Sequence, residues 1–92
     1  MGDTPLHFAA IQGNVRAISL LLDAGADIAA AGESCYTPLH YAVEQSRLEA
    51  VRVLLERGAD ISLQTETGLT SVELAKLVRD DEIQRLLQQH TA

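Results

Sequence analysis

Tryptophan is absent from this chain, and only one phenylalanine and two tyrosines occur among its 92 residues. Any core must therefore be aliphatic, drawn from the Leu, Ile, Val and Ala that dominate an ordinary 47% apolar content. A single cysteine, Cys35, excludes an intramolecular disulfide and suits a reducing compartment, so a cytoplasmic setting is expected. No run approaches the roughly 20 apolar residues that span a bilayer as a helix. The N-terminus lacks a basic segment followed by an apolar one, so no secretory signal is read there. Met1-Gly2 starts like a myristoylation motif, but Leu6 stands where that motif takes Ser or Thr. Bases are also scarce. Seven Lys and Arg against 13 Asp and Glu leave a net charge of −6, spread along the chain without an acidic tail or a basic arm. That balance disfavours nucleic acid and membrane surfaces and favours basic partners.

What is present is repetition. Thr4-Pro5-Leu6-His7-Phe8-Ala9 returns 33 residues later as Thr37-Pro38-Leu39-His40-Tyr41-Ala42, and again as the altered Thr70-Ser71-Val72-Glu73-Leu74-Ala75. Behind the first two copies follow Leu20-Leu21-Leu22 with Gly25-Ala26-Asp27-Ile28, and Val53-Leu54-Leu55 with Gly58-Ala59-Asp60-Ile61. A fixed period of this size marks a stacked solenoid, in which no unit buries its apolar face alone. The length admits one domain, residues 1–92, with repeats at approximately 1–34, 35–67 and 68–92.

Thr4 and Thr37 read as helix N-caps with proline at the first helical position, where a missing N–H costs nothing. In the third copy, Thr70 and Glu73 form a capping box. These first helices run about two turns and end near Gln12-Gly13, Gln45-Ser46 and Val78-Arg79. Second helices are expected to begin at Asn14, Ser46 and Asp80. Ser46 with Glu49 reads as another capping box, and Asp80-Asp81-Glu82 sets acids at the positive end of the helix dipole. Gly25 and Gly58 are natural stops. Extended segments through Asp27-Ile28 and Asp60-Ile61 then turn near residues 31–34 and 64–67.

Thr-Pro-Leu-His, the leucine run and Gly-Ala-Asp-Ile, in this register, closely resemble the ankyrin repeat across essentially the whole chain. The resemblance implies an all-α solenoid of three helix–turn–helix units joined by β-hairpin-like loops. Cys35 and Ser46 stand where that family prefers glycine, and backbone strain is expected at Cys35.

Two apolar stripes mark the second helices. Ala17, Leu20 and Leu21 recur as Ala50, Val53 and Leu54, and as Ile83, Leu86 and Leu87. The opposite stripe, Val15, Ile18 and Leu22, recurs as Leu48, Val51 and Leu55 but turns into Asp81, Gln84 and Gln88. Residues 68–92 therefore read as a C-terminal cap. The first repeat shows no such conversion, so its outer face is expected to be covered by preceding repeats, a partner protein or a second copy of the chain.

Candidate chemistry reduces to repeat structure. The resemblance implies that His7 and His40 hydrogen-bond backbone and threonine, locking one unit on the next. No Cys/His spacing supports a metal site, no glycine loop cradles phosphate, and no Ser-His-Asp set stands outside repeat positions, so neither catalysis nor a cofactor is expected. The resemblance further implies binding through a concave side of loop tips and first helices. Here that side maps to Asp3, Ile11, Gln12, Glu33, Ser34, Tyr36, Glu44, Gln45, Gln64, Glu66, Thr67, Leu69, Leu77 and Val78. None is basic. A protein partner with a basic or mixed apolar and basic surface is expected, with Tyr36, read as an exposed loop-tip tyrosine, as the hot spot. An inhibitor that masks a partner enzyme or toxin, and the C-terminal end of a larger scaffold, are the alternatives.

Overall fold

The computed structural model describes residues 2–90, and among these six α-helices and no strand occur. They are α1 (Pro5–Gln12), α2 (Val15–Asp23), α3 (Pro38–Glu44), α4 (Leu48–Glu56), α5 (Ser71–Val78) and α6 (Asp81–Gln89). The first helix of each pair packs on the next, α1 on α3 on α5, and the second helices file behind them, α2 on α4 on α6. The loops between pairs are tight but not laddered. Gly32 N–H donates to the Tyr36 carbonyl at 2.7 Å, and Thr65 N–H to the Leu69 carbonyl at 2.9 Å. Glu33–Cys35 forms one 3₁₀ turn.

All three first helices start as a capping box. Thr70 N–H donates to Glu73 Oε1 at 3.0 Å, and the histidines do the same work in the other two: Thr37 N–H donates to His40 Nδ1 at 3.1 Å and Thr4 N–H to His7 Nδ1 at 2.9 Å. With Nδ1 accepting, Nε2 carries the proton. His7 Nε2–H points at the carbonyls of Ala30 and Tyr36, each at 2.9 Å, and His40 Nε2–H at that of Leu69, at 3.1 Å. One ring thus caps its own helix and anchors the loop leading to the next. Both are fully buried, yet no buried side-chain polar atom among the described residues lacks a partner. Ser71, standing where the other copies have proline, donates its hydroxyl to the Ile61 carbonyl.

One start differs from the sequence expectation. Ser46 has φ 55°, the left-handed residue that ends α3, and cannot cap α4. The N-cap is Arg47, without a side-chain hydrogen bond, whereas Asn14 and Asp80 at the equivalent positions accept from the amides of Ala17 and Ile83. Arg47 instead donates Nε–H to the Ile11 carbonyl at 3.0 Å, and Glu49 lies 3.6 Å from Arg52. A local cap is exchanged for a tie between repeats.

The core is a single aliphatic cluster running from Leu6 to Leu87. The middle pair is sealed on both sides: Ala50, Val51, Leu54 and Leu55 of α4 are all buried. On α6 only Ile83, Leu86 and Leu87 are buried, while Asp81 and Gln88 are exposed and Gln84 is half-buried. At about 1.5–3 kcal/mol per buried Leu or Ile side chain, these inter-repeat faces outweigh the local capping terms. Cys35 has φ 59° and its counterpart Gly68 has φ 87°, so the thiol residue carries the strain that glycine avoids.

Two measurements follow. Cys35→Gly is expected to raise unfolding free energy by about 0.5–1 kcal/mol in urea titrations by releasing left-handed strain. Burial holds the His40 ring below its ordinary pKa of 6.5, against opposing hydrogen bonds to carbonyls and the nearby Glu44. The unfolded chain therefore takes up a proton before the folded one does, and this contribution to stability is lost as pH falls below 6.5. His40→Gln keeps an N3 capping acceptor without the titration. Relative to it, the native chain is expected to lose stability between pH 7 and pH 5 in the same urea titrations; parallel curves would contradict the linkage.

Candidate functional site

The side formed by the loop tips and the first helices is organised by residue positions that recur through the stack. Asp3, Tyr36 and Leu69 precede the three capping threonines, and Ile11, Glu44 and Leu77 lie near the C-terminal ends of the first helices. Asp3 reaches into the second repeat. Its carboxylate accepts from Glu33 N–H at 3.0 Å and from the Tyr41 hydroxyl at 3.1 and 3.0 Å. Gly32 makes this possible, since a methyl group there would collide with the Asp3 carboxylate and the His7 ring. The next loop is linked in turn, Glu66 N–H donating to the Ser34 carbonyl at 2.7 Å.

Tyr36 departs from its sequence reading. It is half-buried, and its hydroxyl donates to Glu44 Oε2 at 2.8 Å. Its ring lies 4.9 Å from that of Tyr41 and 5.6 Å from His40, with His7 edge-on to Tyr41 at 5.7 Å. Such offset and edge contacts are favourable for ring quadrupoles. Tyr36 thus packs within its own repeat, and Tyr41 carries the contact across to the first repeat through His7 and Asp3. Tyr41, absent from the mapped set, belongs with it. Its signal in the sequence is a hydroxyl at a position where the first repeat has Phe8 and the third has Leu74.

The mapped residues fall into three groups. Asp3, Glu33, Tyr36 and Glu44 converge around Tyr41. Ser34, Gln64, Glu66 and Thr67 occupy the exposed outer loops, and Leu69 is half-buried with its carbonyl engaged by His40. Ile11, Gln12, Gln45, Leu77 and Val78 sit at the ends of the first helices, where Leu77 is 65% exposed and Ile11 and Val78 are half-buried.

Burial, and then the hydrogen bond to Glu44, push the Tyr36 phenol up to about 12; burial and Asp3 do the same for Tyr41. Both phenols are donors spent on carboxylates at neutral pH. What remains for a visitor is acceptor capacity: carboxylate lone pairs, phenol oxygens and carbonyls, beside aromatic edges and exposed Leu77. Neither of the two ion pairs among the described residues involves these acids; Arg57 pairs with Asp23 and Arg52 with Glu49. Both ring nitrogens of His7 and His40 are committed to threonine and backbone, so the histidines are not poised as bases. Behind the stack, a shallow cavity of about 170 Å³ opens between α4 and α6, lined by Leu48, Arg52, Glu82, Arg85, Leu86 and Gln89. Of its two arginines, Arg52 pairs with Glu49. No helix among the described residues is long and apolar enough to cross a membrane.

A family model described as ankyrin repeats (3 copies) matches residues 1–65 of the chain. No curated protein matches it.

Two tyrosines without tryptophan make ultraviolet titration clean. Absorbance near the phenolate band is expected to rise with a midpoint near 12 for both rings in the folded chain, and Asp3→Asn is expected to lower the Tyr41 midpoint alone. A folded chain titrating near 10 would separate the phenols from their carboxylates.

Proposed function

The chain belongs to the ankyrin-repeat family, and from that premise we propose that it is a non-enzymatic interaction module, residues 1–92 acting as one domain. Ankyrin repeats generally serve as protein–protein interaction modules and are typically without catalytic activity. The occupant of the loop-and-first-helix face is a protein segment with basic or alternating basic and apolar side chains. One observation carries this reading. Asp3, Glu33 and Glu44 converge on two tyrosines in ring contact, their nearby donors are phenols and a backbone amide, and among the described residues no arginine or lysine is paired with them. A partner's guanidinium or ammonium finds acceptors and ring faces together there, and the field of a −6 chain steers it inward. Leu77, with Ile11 and Val78, supplies the apolar contact that fixes register. A cytoplasmic setting accords with the lone cysteine.

A second reading rests on a different observation. Phe8 is 54% and Leu20 59% exposed on the outer side of the first helix pair. That face is a site of self-association.

For the first reading, proteins retained from extract of the native source by the immobilised chain are identified by mass spectrometry, and the retained protein is then titrated calorimetrically. Glu33→Lys with Glu66→Lys is expected to weaken binding about tenfold or more, with a loss that grows smaller as salt increases. Arg52→Glu on the opposite side is expected to change it less than about twofold. Tyr36→Phe isolates the hydroxyl and is expected to leave the melting midpoint within a few degrees. Equal effects of the two charge reversals would remove this face from the account.

A further inference from the structure

Because positions recur every 33 residues, each side chain of the first helix pair has two internal controls. Pro5 is exposed where Pro38 and Ser71 are buried. Phe8 is exposed where Tyr41 is half-buried and Leu74 buried. Ala17 is half-buried where Ala50 and Ile83 are buried, and Leu20 is exposed where Val53 is half-buried and Leu86 buried. In the second and third repeats the preceding helix pair provides the cover. These four positions therefore define one face, uncharged throughout and more exposed than its counterparts.

A second copy of the chain can meet this face in two ways. Head-to-tail stacking needs α6 to offer an apolar stripe like that of α4, and Asp81, Gln84 and Gln88 stand there instead. Heterologous growth is therefore disfavoured, and pairing of like faces about a two-fold axis is left. The charges on α2 fit that symmetry. Arg16, Leu20 and Asp23 are spaced i, i+4, i+7 and form one stripe beside the apolar face. When two such helices cross antiparallel near Leu20, Arg16 of each copy comes opposite Asp23 of the other. Arg16 makes no ion pair within its own chain among the described residues. Asp23 accepts from the Arg57 guanidinium through Oδ1 at 2.7 Å, yet its side chain stays 65% exposed.

We propose that two copies of this chain pair symmetrically through the outer face of the first repeat, with α2 antiparallel to its mate and Arg16 and Asp23 exchanging ion pairs around a centre of Leu20 and Phe8. The proposal rests on the second reading above and adds to it an orientation. Closure about the two-fold stops at a dimer, and each copy keeps its loop-and-first-helix face.

Sedimentation velocity across a concentration series tests it. The native chain is expected to show a reversible monomer–dimer equilibrium. Leu20→Asp, at an exposed position, is expected to weaken the dimer about tenfold or more with helical circular dichroism unchanged. Arg16→Asp and Asp23→Arg are each expected to weaken it alone, since like charges then meet at both contacts. An equimolar mixture of the two is expected to restore dimer, because opposite charges then meet at both. Arg57→Ala reports what loss of the Arg57 contact to Asp23 does by itself. A native chain that stays monomeric near millimolar concentration overturns the self-association reading together with the pairing. A dimer indifferent to Leu20→Asp removes this face from the interface. A dimer lost with Leu20→Asp but not restored in the mixture overturns the antiparallel orientation and leaves the face intact.

Discussion

Everything in this chain depends on one constraint: a two-helix unit has apolar stripes on both flanks and no means of covering them itself. The helices are only seven to nine residues long, too short to persist on propensity in water. Their stability comes from neighbours. Val51 and Leu55 on one flank of α4, with Ala50 and Leu54 on the other, are buried because helices stand on both sides of it. The outer stripes of the first and third repeats differ: Asp81, Gln84 and Gln88 stand where α4 carries Leu48, Val51 and Leu55, whereas Phe8 and Leu20 are apolar and exposed.

The histidines add precision to that packing. Hydrophobic contact between files of helices tolerates sliding, but a ring that accepts from its own Thr amide and donates to the carbonyls of the following loop does not. His7 and His40 fix the spacing of successive units to within a hydrogen bond. The third repeat puts Glu73 at the same place, which keeps the capping half of the function.

Much of this was legible in the residues. The capping threonine at each start, Gly25 and Gly58 behind the second helices of the first two repeats, and the polar conversion of the last helix are local signals with local causes. The misreadings are of another kind. Ser46 resembles an N-cap by type, but its counterpart is Gly13, while the true N-cap register of Asn14 falls on Arg47, whose partner is a carbonyl 36 residues earlier. Tyr36 looks like a free loop tyrosine until Glu44 and Tyr41 are brought to it by α3. Asp3 looks like a surface acid until it is found holding Tyr41 and the Glu33 amide. The contacts behind these misses span 5 to 38 residues, and those of Asp3 and Arg47 lie beyond any short window. The same contacts build the acceptor-rich face, which is why its chemistry became definite only with the fold.

Native-state hydrogen exchange through a denaturant series measures the central claim most directly, because it reads how each helix pair opens. If neighbours supply the stability, amides of α3 and α4 exchange last and only when the entire stack opens. Strongest protection in α1–α2 or α5–α6, or a middle pair that opens while its flanks stay closed, would contradict the account.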